Sequence, residues 1–344
     1  GLDSLRTLMG NWREAKDNLE IADHLERLTP LQQLYAADAR MYHYMRRGDL
    51  ARYEAHRARV ELLAVQLDSA WQIECWGGTG EAMNTAIQTH DAVRMKRAAQ
   101  HLARICEELP ALSYLLRRAR GYYCVLRGKH ARAIALLDAD EEPLAHCGWA
   151  QARGMLARAH NALGEHQRAR EICLDALSRL SSGDLEFVVW NIGLQIELAM
   201  AESGLGNHAE AAHQLDELIS AHTPLRGPFT LGALHPARAR ASLSAGELEL
   251  CRAHVAKLAG YYRPIGLSTL RGLVEDLERQ VGVSNINAVV QRREHAEQLA
   301  SRLIQRLGRP PEGQSLMDRG YMCLRIAIEV TSASAGFILL HEDD

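Results

Sequence analysis

Apolar helical stretches in this chain alternate with short polar interruptions that begin with glycine. In most interruptions a small residue follows the glycine at a distance of five positions, before the next helical stretch. The six copies are GNWREA from Gly10, GDLARY from Gly48, GKHARA from Gly128, GEHQRA from Gly164, GNHAEA from Gly206 and GELELC from Gly246.

The spacing of these glycines indicates an internal repeat. Successive glycines lie 38, 80, 36, 42 and 40 residues apart. The interval of 80 is twice the others, and at its midpoint His90 and Met95 fill the two positions imperfectly. Seven units of about forty residues therefore cover positions 1–260, as in helical repeat arrays. Only residues 1–9 precede Gly10, which is less than a full first helix, so we expect the chain to be a piece of a longer protein.

The residue types in the repeat fit a helical hairpin. Glycine supplies the left-handed conformation that ends a first helix at low steric cost. A small residue five positions later lets the second helix pack closely against the first. One hairpin cannot bury its own apolar face, so neighbouring hairpins must stack on one another. The pattern predicts an all-α array with no sheet in this region.

The repeat resembles the tetratricopeptide repeat, whose second helix begins G-[DN]-[YW]-x-x-A. GNWREA, from Gly10 to Ala15, matches that signature fully, and Tyr44, Gly121 and Ala157 fit first-helix positions of the family. The spacing exceeds the usual 34 residues, as in the longer variety found in bacterial signalling ATPases and maltose-activator-type regulators. The resemblance implies a right-handed superhelical solenoid of about seven hairpins.

The remaining residues depart from the repeat. We expect capping or linker helices over 261–314, followed by a helix and one strand-like segment over 315–344. The apolar run Gly336–Leu340 is the only strand-like stretch of the sequence. A helix leading into such a strand resembles the opening of a GAF domain. The alternative is a C-terminal tail that packs on the last repeat.

Composition narrows the function classes. The net charge of -3 and the pI of about 6.6 argue against a nucleic-acid partner. Seven cysteines stand singly, which is typical of a reduced, cytoplasmic protein, and no apolar run is long enough to cross a membrane. The histidines lack metal-ligand spacing, and WGGTG from Trp76 lacks the Lys-Ser/Thr pair of a phosphate loop. We expect no metal, no cofactor and no enzyme activity in this chain, although its parent can carry kinase or ATPase domains.

The first helix of each hairpin lines the concave surface in this repeat class. Its inward positions supply Arg, Tyr and Asn side chains that suit a peptide or an anion. We therefore predict a regulatory module that binds a protein segment, or another domain of its parent, in this groove. The alternative is a sensor that holds a small-molecule effector inside the superhelix. The predicted binding residues are Tyr42, Asn84, Arg118, Tyr122, Arg158, Asn161, Met200 and Arg240.

Overall fold

The computed structural model describes residues 15–67, 79–138, 148–181, 188–225, 227–283 and 298. Across these ranges the chain is helical, with turns and short 3-10 segments, and it contains no strand. None of the described helices is long and apolar enough to span a bilayer. The predicted all-α helical repeat array is confirmed for this part of the chain.

Within the described ranges, one helix precedes six antiparallel hairpins and one helix follows them. Helix α1 (Ala15–Leu25) comes first, and α14 covers residues 268–283. The hairpins are α2 (Pro30–Arg47) with α3 (Leu50–Gln66), α4 (Thr79–Gln88) with α5 (Ala92–Glu108), α6 (Ser113–Leu126) with α7 (His130–Leu137), α8 (Trp149–Ala162) with α9 (His166–Ser181), α10 (Val188–Gly204) with α11 (His208–His222), and α12 (Pro228–Ser244) with α13 (Leu248–Tyr262).

Each hairpin turn contains one residue in the left-handed conformation, which lets the second helix begin within a few residues of the first. In the α4–α5 turn this residue is His90, with φ of 52°. In the other five turns it is a glycine with φ between 68° and 89°: Gly48, Gly128, Gly164, Gly206 and Gly246.

The backbone hydrogen bonds of these turns follow one pattern. The residue after the left-handed position donates its N–H to the carbonyl five residues earlier. The bond from Asp91 to Ala86 and the bond from Lys129 to Cys124 are both 2.8 Å long. His90 therefore adopts the same turn geometry as the glycines, although it carries a side chain.

The position five residues after the left-handed residue is buried in every described hairpin. Its side chains range in size from alanine to tyrosine, yet their exposed fractions are all 0 or 1%. A small residue is thus one of several ways to fill this crossing. The six residues are Tyr53, Met95, Ala133, Ala169, Ala211 and Cys251.

Consecutive hairpins stack by contacts that repeat along the chain. The second helix of one hairpin contacts the first helix of the next, as α5 contacts α6 and α9 contacts α10. First helices also contact each other, α8 with α10 and α10 with α12. Buried side chains of α4 to α10 form one continuous apolar cluster as a result.

The two ends of this array meet. Helix α12 contacts α2, and one buried cluster joins Met41, Met45 and Tyr53 to Phe229 and Cys251. A Cβ atom on Gly48 would lie 3.0 Å from Cγ of Pro228, so the α2–α3 turn lies against the start of α12. In addition, the Thr269 hydroxyl on α14 donates to the Thr89 carbonyl over 2.6 Å. The hairpins therefore close around an interior space.

Helix α14 completes the closed array. Leu270, Val274, Leu277 and Val281 are buried in the cluster that also contains the last hairpin. The spacing of these four residues puts them on one face of the helix. The first compact unit accordingly runs to Val281. The cause is that α14 covers the apolar face that the α12–α13 hairpin leaves open.

Residues 282–344 form a second unit, of which the structure describes residues 282, 283 and 298. Most of the predicted linker helices lie outside the described residues. The predicted helix over 315–344 and the strand-like run Gly336–Leu340 also lie outside them, so the GAF-like opening stays a prediction.

The buried alanines at the hairpin crossings should not tolerate larger side chains. Replacing Ala169 or Ala211 with leucine adds methylene groups to a site with no exposed surface, which should cost about 1–3 kcal/mol of unfolding free energy. Ala209 is exposed on the same helix as Ala211, so Ala209→Leu is a matched control that should melt with the parent. Equal melting temperatures for Ala209→Leu and Ala211→Leu would contradict this packing.

A buried histidine pair should make the fold sensitive to acid. His235 and His254 are 2% and 5% exposed, and their Nδ1 atoms lie 3.0 Å apart, so one ring donates and the other accepts. Burial lowers the pKa of each imidazole from 6.5 to about 4. Between these values the unfolded chain takes up protons that the folded pair does not, so stability falls as the pH falls.

Urea unfolding at pH 7 and at pH 5 measures this effect, with an expected loss on the order of 3 kcal/mol for the parent. His254→Leu should reduce the loss. His213 is solvent-exposed on α11, so His213→Gln should lose as much unfolding free energy between pH 7 and pH 5 as the parent does. A loss in His254→Leu as large as that of the parent would assign the acid sensitivity to other groups.

Candidate functional site

A partly open cavity of about 450 Å³ lies on the inner side of the closed array. Side chains of α4, α8, α10 and α12 line it, together with Tyr262 of α13 and Leu273 of α14. Part of the lining is apolar, which gives a ligand a surface for its carbon skeleton. These apolar residues include Ile87, Met155, Ile196, Met200, Phe229 and Leu273.

Two arginines and one glutamate supply the charge of the cavity. Arg158, Glu197 and Arg240 come from α8, α10 and α12, three hairpins that are successive in the chain. Burial raises the pKa of the Glu197 carboxyl, and Arg158, Asn161 and Arg240 partly oppose this rise. Burial also lowers the pKa of the Arg240 guanidinium, and repulsion from Arg158 adds to that effect. The cavity thus holds two like charges close together at a cost in free energy.

Neither guanidinium is neutralised by direct contact. Arg158 and Arg240 form no ion pair and no hydrogen bond with any residue that the structure describes. By contrast, Arg238, a neighbour of Arg240 on α12, is bonded to Asp216 at 3.0 Å and to Ser242 at 2.6 Å. The donor groups of Arg158 and Arg240 are therefore available to a bound molecule.

Amide side chains hold the Glu197 carboxylate in place and connect the helices that line the cavity. Asn161 donates from Nδ2 to the Glu197 carboxylate over 3.1 Å, and its own amide oxygen accepts from the His166 ring over 3.2 Å. On another wall, Gln151 donates to the Asn84 amide oxygen over 2.9 Å. These contacts join α8 to α10 and α8 to α4, so the cavity has a defined polar geometry without a ligand.

His90 brings an imidazole to the same cavity from the α4–α5 turn. Burial lowers the pKa of this ring to about 3, and the positive charges of Arg158 and Arg240 contribute. The ring is therefore neutral at physiological pH. Holding a residue with a Cβ atom in the left-handed conformation costs about 1 kcal/mol, so the cavity contains a strained backbone position as well as unpaired charge.

Five of the eight predicted binding residues line the cavity: Asn84, Arg158, Asn161, Met200 and Arg240. The other three predicted positions do not. Tyr42 is half-buried against the cluster that joins the two ends of the array. Arg118 and Tyr122 are buried within α6, 4% and 0% exposed, and the guanidinium reaches the Tyr122 hydroxyl over 3.4 Å.

The placement of Arg118 and Tyr122 outside the cavity has a physical cause. Their prediction as inward-facing residues requires every first helix to turn the same face inward. Helix α6 packs that face against the start of α8, where a Cβ atom on Gly148 would lie 1.6 Å from Nη2 of Arg118. The two side chains fill an interface between hairpins and do not reach the cavity.

Sequence reasoning missed several residues that line the cavity. No sequence pattern separates Glu197, Gln88, Gln151 and Tyr262 from other helical residues, and the spacing of the histidines does not single out His90. His90 nevertheless carried a signal, because it stands where the other described turns have glycine. No cluster of three metal-binding side chains exists among the described residues.

A second cleft, of about 620 Å³, lies between α3 and α5. Most of its charged groups bind one another: Glu54 accepts from Arg57 over 2.8 Å and from Arg94 over 2.7 Å. Because these charges are already paired, the cleft offers a ligand less than the interior cavity does.

The buried interface around Tyr122 and the cavity around Arg158 predict different responses to mutation. Tyr122→Ala removes a fully buried ring and should cost about 3–5 kcal/mol of unfolding free energy. Arg158→Gln removes a guanidinium that makes no hydrogen bond to the described residues, and should change stability by less than about 1 kcal/mol. Chemical unfolding of both variants tests this. A larger loss for Arg158→Gln would mean that the arginine is a structural group.

Comparison with known proteins adds no family to this description: no protein-family model matches the chain, and no curated protein matches it in sequence.

Proposed function

We propose that this chain is a non-catalytic regulatory module that binds a small organic anion in its interior cavity. The observation that carries the proposal is the pair of guanidiniums, Arg158 and Arg240, which face a shared cavity without an ion pair to the described residues. A bound anion would relieve their mutual repulsion, so the ligand-free arrangement stores part of the free energy of binding.

The charge balance favours an anion. With Glu197 ionised, the three charged groups give the cavity a net charge of +1. Charges interact more strongly in a partly buried site than in water because the effective dielectric constant is lower. Guanidinium groups also match carboxylate and phosphate oxygens in geometry, since their N–H donors lie in one plane.

The size of the cavity favours a small molecule over a helical segment. A volume of about 450 Å³ lies within the range of small-molecule sites. Moreover, α2 and α12 meet, so the concave face is not an open groove along which a helical segment could lie.

The polar groups are arranged for binding more than for catalysis. The one carboxylate, that of Glu197, accepts a hydrogen bond from Asn161 and lies near two guanidiniums. The remaining polar side chains of the lining are amides, imidazoles and the Tyr262 phenol, whose pKa burial raises. This set can position and neutralise an anion.

A protein segment is the second candidate occupant, in line with the groove that the sequence predicted. The observation in its favour is the set of amide side chains, Asn84, Gln151 and Asn161, since amides pair well with peptide groups. Closure of the array restricts such a partner to an extended chain end. The regulatory context, a cytoplasmic signalling protein in which a GAF domain follows the repeats, is part of the same proposal.

A charge series tests the anion site. Hexanoate and its uncharged analogue hexanamide serve as probes, titrated against the whole chain by calorimetry at constant ionic strength. Arg240→Gln should weaken hexanoate binding about tenfold or more, and Glu197→Gln should strengthen it about threefold or more. Hexanamide should bind weakly and show neither effect.

Arg252 provides the matched control, because it lies on the exposed surface of α13 and pairs with Glu249. Arg252→Gln should bind hexanoate as the parent does. Hexanoate binding that is unaffected by both Arg240→Gln and Glu197→Gln would refute the interior anion site. Preference for a short peptide over hexanoate, lost in Arg240→Gln, would favour the second candidate.

A further inference from the structure

His90 holds a position that is glycine in the other five described turns. At Gly128, Gly164 and Gly206 a Cβ atom would meet nothing within 4 Å, so lack of space does not explain the glycines there. Their common property is the left-handed backbone, which glycine adopts without strain. A histidine at this position therefore destabilises the turn, and its side chain must account for its presence.

The imidazole of His90 lines the interior cavity near Arg158 and Arg240. It forms no hydrogen bond with a residue that the structure describes. A neutral imidazole carries one donor and one acceptor nitrogen. Burial and the two guanidiniums lower the pKa of the ring to about 3, so they favour its neutral form. In that form the ring adds hydrogen-bonding capacity without changing the charge of the site.

Gln88 lies two residues earlier, at the end of α4, and also lines the cavity. Its amide, like the His90 imidazole, is an uncharged hydrogen-bonding group. The guanidiniums of Arg158 and Arg240 disfavour a cationic amine at this place, so the ligand group that matches these two side chains is an uncharged one, such as a hydroxyl.

We propose that His90 is a ligand-contacting residue which, with Gln88, selects organic anions that carry hydroxyl groups, such as hydroxy acids and sugar acids or phosphates. The proposal rests on the anion site described above and adds the chemical class of its ligand. Arg158 and Arg240 hold the anionic group, and the end of α4 holds the hydroxyl groups.

Two reciprocal substitutions distinguish the effect of the left-handed turn on stability from the effect of the His90 side chain on ligand binding. His90→Gly removes the imidazole and the strain, so it should raise the melting temperature by about 2 °C. Gly128→His introduces the same side chain into an exposed turn outside the cavity, so it should lower the melting temperature and leave binding unchanged. His90→Asn tolerates the left-handed backbone and keeps a neutral hydrogen-bonding group.

The probes are gluconate and hexanoate, six-carbon carboxylates with and without hydroxyl groups, and sorbitol, which has hydroxyl groups and no charge. The whole chain should bind gluconate more tightly than hexanoate, and sorbitol least. His90→Gly should weaken gluconate binding about tenfold while changing hexanoate binding by less than about threefold. His90→Asn should bind gluconate more tightly than His90→Gly does. A titration with glucose 6-phosphate in place of gluconate distinguishes a phosphate ligand from a carboxylate ligand.

Two results would overturn the proposal without touching the anion site: gluconate and hexanoate that bind equally well, or gluconate binding that His90→Gly leaves unchanged. Equal losses for both anions in His90→Gly would also refute it, because the residue would then act on the charge and not on hydroxyl groups. If neither anion binds the unmodified chain, the anion site itself is refuted, and the ligand class with it.

Discussion

A hairpin in this chain cannot be stable alone, because its two helices bury only part of the apolar surface that they carry. The left-handed turn brings the helices together, and the residue five positions later fills the crossing, but the outer faces remain open until another hairpin covers them. Every element therefore depends on a neighbour, and the last hairpin requires a cover as well. Helix α14 supplies this cover through Leu270, Val274, Leu277 and Val281.

The same requirement explains the cavity. Because α12 contacts α2 and Thr269 reaches the Thr89 carbonyl, the first helices of successive hairpins face one another across an interior space. Polar side chains on those faces cannot all reach bulk water. Two guanidiniums, one carboxylate and a neutral imidazole are held there, and the Arg240 and His90 pKa values are both lowered by that confinement.

Several departures from the rules of stable folding occur together at this place. His90 adopts a backbone conformation that glycine would adopt without strain, Arg158 and Arg240 repel each other, and the Gln88 oxygen lacks a partner among the described residues. Many charged groups elsewhere are paired, as Arg170 is with Glu202 at 2.6 Å and Arg238 with Asp216 at 3.0 Å, whereas one buried carboxylate oxygen of Asp38 has no partner among the described residues. Local costs that persist at one site are typical of function, because selection for stability alone would remove them.

The sequence by itself determined the all-α repeat, the turn positions and the buried crossings, since these depend on residues a few positions apart within one hairpin. It also placed Asn84, Arg158, Asn161, Met200 and Arg240 on inward faces. Only the tertiary structure decided that the array closes, that Arg118 and Tyr122 fill an interface between hairpins, and that Glu197 and His90 join the two arginines. These outcomes depend on how each hairpin rotates against the next and on contacts between residues nearly two hundred positions apart, and no local pattern in the sequence encodes them.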